Sequence, residues 1–340
     1  MRARTGIFQR VRQRLGGSRT VELPVSCYGK LPLYKDFLRE NLAGKEAQAF
    51  KRWLDKGVGH YWGATDEYRG TTIYPHGFLL RFPGTAKYLL GYLWGSHDEG
   101  GLRFFPFSLF ASIPAGRESF PPHSVLRVLD TIMTTGAQWR QEAALLTSVQ
   151  EFKRWSRGLK LEVTVKPEHE VVAEILTKAS DITMEQFISG MWDEDPDIEW
   201  PMLLSYLERH RGRIKARNHN VDLAARFPTS PRLSMILQAQ YWTQIIERYD
   251  HRRERSVQLL VPAYDGHAGL TLMLRNLRPD DVFAFHPEMP MNEHIEDFRS
   301  SVPGSRSSVE PLSQPEKDRP LCAFLDDGFS DDHGGGEDGG

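Results

Sequence analysis

The sequence predicts an α+β fold: a mostly antiparallel sheet flanked by helices, with a helical lobe and a C-terminal part that bears a hairpin. Three observations carry this. Short β-branched or aromatic runs, punctuated by Gly and Pro, crowd the first third of the chain. Helical periodicity then takes over between about residues 121 and 211 and returns at Ser230. Two late apolar runs flank Asp265-Gly266, a two-residue hairpin signal.

Taken in order, residues 1–20 are a basic arm with Arg2, Arg4, Arg10, Arg12, Arg14 and Arg19 and no acid before Glu22. Ile7, Phe8, Val11 and Leu15 recur at helical spacing behind Thr5, a candidate cap. A lone short helix is marginal in water, so the arm is expected to be disordered unless an anionic membrane receives its apolar face. Val25 to Tyr28 reads as a strand running into a turn at Gly29. A helix is expected over Gly44 to Lys56, with Phe50, Trp53 and Leu54 on its buried stripe. Thr71 to Phe82, Tyr88 to Trp94 and Arg103 to Ile113 read as successive antiparallel strands, bounded by Pro83-Gly84, Gly95-Ser96 and Gly100-Gly101.

Pro121-Pro122 opens a helical region reaching about Arg157, and Leu161 to Val165 is a short strand. Residues 167–211 are a helical lobe, with Thr183 and Gln186 spaced as a capping box and an acidic loop from Asp193 to Asp197. Ser230-Pro231 starts a helix with Leu233, Ile236, Leu237, Tyr241 and Ile245 in helical rhythm. Val257 to Ala263 and Leu270 to Arg275 form the hairpin arms, and Pro279 to Phe285 is a short helix or turn. From Ser300 onward Pro, Ser, Gly and acids dominate, predicting disorder apart from Leu321 to Phe324. The expected regions are the arm 1–20, an N-terminal α/β domain 21–165, the lobe plus C-terminal α/β part 166–299, and an acidic tail 300–340.

Composition narrows the function. With 340 residues, 40% of them hydrophobic, the chain can bury a sizeable core. A net charge of −2 gives no electrostatic argument for nucleic acid. No apolar run approaches the roughly 20 residues that cross a bilayer. Cys27 and Cys322 lack any pairing pattern, as in a reducing compartment. A cytoplasmic protein without metal or cofactor is the expectation.

Catalytic spacings fail in turn. Gly57-Val58-Gly59-His60-Tyr61-Trp62-Gly63 follows a helix rather than a strand, so it reads as a loop and not a phosphate cradle. Gly44-Lys45 lacks the glycine and hydroxyl of a nucleotide loop. Ser96, His97 and Asp98 are consecutive and cannot relay a proton as a triad. His286, Glu288, Glu293 and His294 lie around Pro287 and Pro290 without helical metal-ligand spacing. No catalytic residue is assigned.

The informative segments are Gly29-Lys30-Leu31-Pro32-Leu33-Tyr34-Lys35-Asp36-Phe37-Leu38-Arg39 and Gly101-Leu102-Arg103-Phe104-Phe105-Pro106-Phe107-Ser108-Leu109. Each sets charge among apolar residues and fixes the backbone with Gly and Pro. Unpaired burial of Lys30, Asp36 or Arg103 would be costly, so the segments are expected to meet, with Asp36 in ion-pair reach of Arg103 or Lys30. Two readings stay open: the residues only organise the fold, or Lys30, Tyr34, Lys35 and Arg39 form a docking patch around Pro32.

These segments resemble the signature of the TagF (ImpM) family of bacterial type VI secretion systems, which runs G-K-L-P, then G-D-F, then G-R-x-F/Y-P-L. Lys35 stands where the family has glycine, and Phe107 where it has leucine. The resemblance covers residues 25–115 well and 230–290 loosely. It implies a non-enzymatic cytoplasmic regulator that represses the secretion system after translation. The implied partner is the forkhead-associated-domain scaffold of a threonine kinase–phosphatase pathway, with baseplate or membrane-complex components as further partners. The candidate partner-binding positions are Gly29, Lys30, Leu31, Pro32, Tyr34, Lys35, Asp36, Phe37, Arg39, Arg103, Phe105 and Pro106. Two other classes remain: a longin- or roadblock-like platform for a small GTPase, and an enzyme whose site is assembled from scattered residues. Nucleotide-dependent co-purification with a GTPase marks the first, and a pocket of ionisable groups with shifted pKa values the second.

Overall fold

The computed structural model describes residues 18–64, 73–114, 122–189, 191–192, 195–216, 224–230, 233–249, 257–263, 269–286, 295–299 and 310–323. At its centre are three strands without a polar face: β4 (His76–Leu80), β5 (Lys87–Trp94) and β6 (Phe107–Pro114). Phe78, Leu80, Leu89, Leu93 and Phe110 belong to the core on one side of the sheet, and Leu79, Leu90, Tyr92, Leu109 and Ala111 to the core on the other. Strands apolar on both faces need cover on both faces. The helix α1 (Lys45–Ala64) and the 3₁₀ segment Pro279–Phe285 pack on the first side, and α2 (Pro122–Ala144) on the second.

The sheet grows outward from this trio. On one side β2 (Ser26–Gly29) pairs antiparallel with β6, and β3 (Leu38–Glu40) closes that edge on β2. On the other, β9 (Gln258–Pro262) pairs with β4, followed by β10 (Leu270–Met273), β8 (Ala224–Phe227) and β11 (Glu296–Asp297). Among the described residues nine strands thus form one sheet, antiparallel except where β11 runs alongside β8. The expected hairpin arms are the antiparallel neighbours β9 and β10; the Asp265-Gly266 turn lies outside the described residues. Because β4 pairs with β9, the regions 21–165 and 166–299 share the sheet. A separate ribbon joins β1 (Arg19–Pro24) to β7 (Lys160–Val165), whose Leu161, Val163 and Val165 alternate into the core.

The lobe consists of α4 (Glu168–Ser180), α5 (Met184–Ile188) and α6 (Pro196–Ala216). Its aromatic centre is shared with α7 (Met235–Tyr249): the rings of Phe187 and Tyr241 lie 4.2 Å apart, and those of Trp200 and Trp242 5.5 Å. The predicted capping box opens α5, where Gln186 N–H donates to Thr183 Oγ1 at 3.2 Å and Thr183 N–H to Gln186 Oε1 at 2.9 Å.

Four expectations are corrected. The helical region to Arg157 is broken, because Ser148 caps α3 (Val149–Gly158) by accepting Glu151 N–H at 3.2 Å, while Glu151 accepts the Thr147 N–H at 2.9 Å. The third strand begins at Phe107 rather than Arg103, since Arg103 is held in a loop. Residues 310–320, assigned by composition to the disordered tail, are ordered and include α8 (Gln314–Lys317), continuous with Leu321–Ala323, which were excepted from it. Finally, α1 runs on through Gly57 and Gly59 to Ala64, where a loop was expected. The arm before Ser18, the residues Asp193, Glu194 and Pro231, and the tail beyond Ala323 lie outside the described residues.

Packing explains the helical glycine. A Cβ at Gly57 would overlap the Pro279 carbonyl oxygen and the Val282 side chain, whereas one at Gly59 would meet nothing within 4 Å. Trp53 Nε1 donates to the Arg278 carbonyl at 2.7 Å across the same contact, fixing the spacing. Glycine inside a helix costs about 1 kcal/mol relative to alanine. Overpacking against backbone costs about 1–3 kcal/mol. Gly57→Ala is therefore expected to lower stability by about 1–2 kcal/mol, and Gly59→Ala to raise it by up to about 1 kcal/mol, in urea melts monitored by tryptophan fluorescence.

Candidate partner-docking site

The two sequence segments meet at the β2–β3 edge of the sheet. Gly29 ends β2 with φ +144°, and a Cβ there would stand 2.6 Å from Phe107 Cα and overlap the Pro106 carbonyl. The first segment is thus pressed backbone to backbone on the second, which requires glycine. After Gly29 the chain turns at Leu31, whose carbonyl accepts the N–H groups of Leu33 at 2.7 Å and Tyr34 at 3.3 Å. It then returns as β3 through Leu38, which is buried.

Aromatic contacts join the two segments. Phe37 stacks on Tyr28 with centroids 5.4 Å apart and meets Phe105 edge-on at 4.8 Å. Lys30 Nζ lies 4.6 Å from the centroid of Phe37, a cation–π contact. Tyr28 donates its hydroxyl proton to Asp55 at 2.5 Å, and Lys51 donates to the other oxygen of that carboxylate at 2.5 Å. Burial and this acceptor push the Tyr28 phenol up.

The acid of the site is not the expected one. Asp36 is exposed, accepts the Phe37 N–H at 2.8 Å, and forms no ion pair with Lys30 or Arg103. Asp98 holds both cations instead. Its Oδ2 accepts Arg103 Nε–H at 2.5 Å and lies 3.9 Å from Lys30 Nζ. Its Oδ1 accepts the N–H groups of Leu102 at 3.2 Å and Arg103 at 3.3 Å, and its own N–H donates to the Arg103 carbonyl at 3.1 Å. One buried carboxylate therefore closes the whole 98–103 loop.

The two cations also converge on one backbone oxygen. Lys30 Nζ donates to the Lys35 carbonyl at 3.2 Å, and Arg103 donates to the same oxygen. Glu99 N–H donates to the Tyr34 carbonyl at 3.2 Å. Asp36 had the family motif in its favour, while Asp98 sits among glycines and reads as loop polarity. The available signal was that Asp98 and Glu99 are the acids nearest in sequence to Arg103, and nothing local separates the two.

Electrostatics follow from burial. Lys30 is only 3% exposed, and desolvation, then the Arg103 charge, lowers its pKa against the pull of Asp98 and Asp36. For Asp98 burial raises the pKa, but the hydrogen bonds from Arg103 and the Leu102 and Arg103 amides outweigh it and hold the carboxyl below its usual range. The Asp98 carboxylate is engaged by these groups, while His97 Nδ1 bonds the Asp98 backbone carbonyl at 2.8 Å. Ser96, His97 and Asp98 thus make no proton relay. Burial pushes the Cys27 thiol up and away from nucleophilic character. Among the described residues no cluster of His, Cys, Asp and Glu is arranged to hold a metal; Glu288, Glu293 and His294 lie outside them.

The two segments closed by Asp98 form a clasp, which presents apolar and basic side chains to solvent together with the acids Asp36 and Glu99. Leu102, at the tip of the Asp98-closed loop, is 85% exposed, and Tyr34 and Phe37 are 37% and 36% exposed. Pro32, Lys35, Arg39 and Arg103 are exposed as well, whereas Gly29, Lys30, Leu31, Phe105 and Pro106 are buried. Sequence reasoning missed Leu102, whose prominence comes from the loop closure alone.

The pH behaviour follows from the depressed Asp98 pKa. A carboxylate with a lowered folded-state pKa contributes stability that is full above the unfolded value, about 4, and disappears as pH falls through the folded value. Asp98→Asn is expected to lower the melting temperature at pH 7 by more than Asp36→Asn. That gap should narrow as pH falls below about 4, which a series of thermal melts in buffers of decreasing pH checks.

Residues 26–159 match the TagF N-terminal domain, Type VI secretion system-associated; the matched span runs from β2 to the residue after α3 and contains both segments of the clasp. A solved structure from Pseudomonas aeruginosa PAO1, PA0076, is similar at 20% identity with a TM-score of 0.31, over 40% of this chain and 62% of that one. The match thus spans less than two-thirds of that protein's length. No curated protein matches the sequence. Both segments of the clasp lie inside the matched span, so the likeness to the TagF N-terminal domain covers residues 26–159, less than half of the chain.

Proposed function

We propose that this protein is a post-translational repressor of a type VI secretion system and acts by binding, not by catalysis. The face it uses is the clasp, and its partner is the forkhead-associated-domain scaffold of the system. The observation that carries this reading is the exposed leucine on a closed loop. Five hydrogen bonds or ion pairs at the carboxylate and amide of Asp98 hold a loop whose outward product is Leu102, 85% exposed. A large apolar side chain held rigidly in water loses little conformational entropy when a partner covers it.

The rim supports the same choice. Tyr34 and Phe37 offer aromatic area beside Leu102's loop, and Lys35, Arg39 and Arg103 provide exposed cations. Aromatic residues and Arg are enriched where proteins dock, and cations pair well with acidic or phosphorylated groups. The complementary surface on the scaffold is therefore an apolar socket with an acidic rim. Binding there keeps the scaffold from its assembly role, and release restores secretion.

Calorimetric titration of the full chain with the scaffold tests this. Leu102→Asp is expected to weaken binding about tenfold or more, which corresponds to about 1.4 kcal/mol. Lys35→Glu with Arg39→Glu is expected to weaken it further at low salt, with stability changed by no more than about 0.5 kcal/mol because both side chains are exposed. Unchanged affinity in both variants, with wild-type melting, moves the interface off the clasp.

A further inference from the structure

The segment Glu310–Ala323 lies on the helical lobe as a bound peptide lies on its receptor, and its contacts repeat. Pro311-Leu312 and Pro320-Leu321 are two Pro–Leu pairs. In each pair the leucine N–H donates to a lobe carbonyl, Leu312 to Asp197 at 3.3 Å and Leu321 to Ile182 at 2.7 Å. Leu321 is fully buried in the core, and Leu312 is half-buried against it. The lobe answers with one bond of its own, from Met184 N–H to the Arg319 carbonyl at 2.9 Å, which makes Thr183 and Pro320 an antiparallel bridge.

Between the two pairs stands a lysine. Lys317 donates to the carboxylate of Asp197, the residue whose carbonyl receives Leu312. The hydrogen bond to Asp197 holds the ammonium above its usual pKa, and the charges of Glu185 and Asp195 add to the effect. The lobe thus offers two apolar sockets with an acidic rim between them. The rest of the segment turns to solvent: Ser313, Gln314, Pro315, Glu316 and Asp318 are exposed. Its single helical turn is capped from within, by Ser313 N–H donating to Glu316 at 2.8 Å. Local structure is therefore supplied by the segment, and recognition by two leucines, a lysine and a strand bridge. This is how peptides are read by a groove, with main-chain bonds for affinity and side-chain sockets for specificity.

We propose that the α5–α6 face of the lobe is a docking site for an extended peptide with two Pro–Leu pairs about a lysine, and that Glu310–Ala323 is its exchangeable resident ligand. A partner protein displaying the same pattern displaces the segment. Ten residues, 300–309, separate the segment from the preceding described residue in sequence, and a chain of that length reaches at most about 36 Å. So short a tether keeps the resident ligand at millimolar effective concentration, and the site opens only to a competitor that exceeds it. This inference is independent of the clasp and of the scaffold.

The probe is a fluorescein-labelled peptide of residues 310–323, titrated by anisotropy against full-length wild type and against the full-length Lys317→Glu, Leu321→Asp variant, whose own segment no longer fits. The peptide is expected to bind the variant at least about a hundredfold tighter than wild type, because a tether of this length supplies that advantage to the resident. A probe peptide carrying Leu321→Asp is expected to bind neither. Equal binding to both chains, or none to a folded variant, overturns the proposal. Hydrogen exchange on the wild-type chain decides independently, including where the variant does not fold. The amides of Leu321 and Met184 are expected to exchange at least tenfold faster than that of Leu90 in β5, through opening of the segment alone. Exchange at the rate of Leu90 makes the segment an integral part of the lobe and rejects an exchangeable ligand.

Discussion

Burial of the central strands on both faces governs the architecture. A strand with one solvated face needs a single covering layer, but β4, β5 and β6 carry apolar side chains on either side. Two layers of helix must then be assembled from distant parts of the chain. On one side α1 is joined by the 3₁₀ segment Pro279–Phe285, more than 200 residues away in sequence. The buried Arg275–Asp281 pair, with bonds of 2.9 and 2.6 Å, anchors that segment to the strand end. The same demand explains Gly57, where helix and 3₁₀ segment approach too closely for any side chain.

Sheet edges pose a different problem, because among the described residues β3 and β11 each leave a row of backbone groups without a neighbouring strand in the sheet. Both edge strands are short, three and two residues. At the β3 edge order is supplied by side chains: Arg103 and Lys30 bond the Lys35 carbonyl, and Asp98 secures both cations. Burying Lys30 is unfavourable in itself, and its depressed pKa records that cost. The buried charge is justified by position: it locks the turn, the aromatic stack and the 98–103 loop in one register. A buried ion pair is weak evidence for stability but a strong means of fixing geometry. A fixed geometry is what a docking surface requires.

Clasp and lobe are distinct in chemistry as well as place. The clasp shows aromatic and cationic groups to solvent, while the lobe groove combines apolar sockets with an acidic rim. The fold can hold both because the shared sheet, with β4 paired to β9, connects the two halves of the chain rigidly.

Sequence by itself determined the fold class, the strands β4 and β5, the α5 capping box, the β9–β10 pairing and the meeting of the two signature segments. Each rests on local pattern: period-two or continuous apolar runs, capping spacing, or charge embedded among apolar residues. Gly29 was legible too, since a glycine ahead of Lys-Leu-Pro announces a turn. Tertiary structure alone decided the identity of the acid, because Asp98 and Asp36 are equally charged and only the approach of the loop to Lys30 selects between them. It also decided that α1 continues through its glycines, that Leu102 is the most exposed large apolar side chain among the described residues, and that Glu310–Ala323 is ordered. In all of these the deciding partner is far off in sequence. Periodicity and composition report how a residue fits its own element, whereas close approach between elements depends on which backbones the folded core brings together.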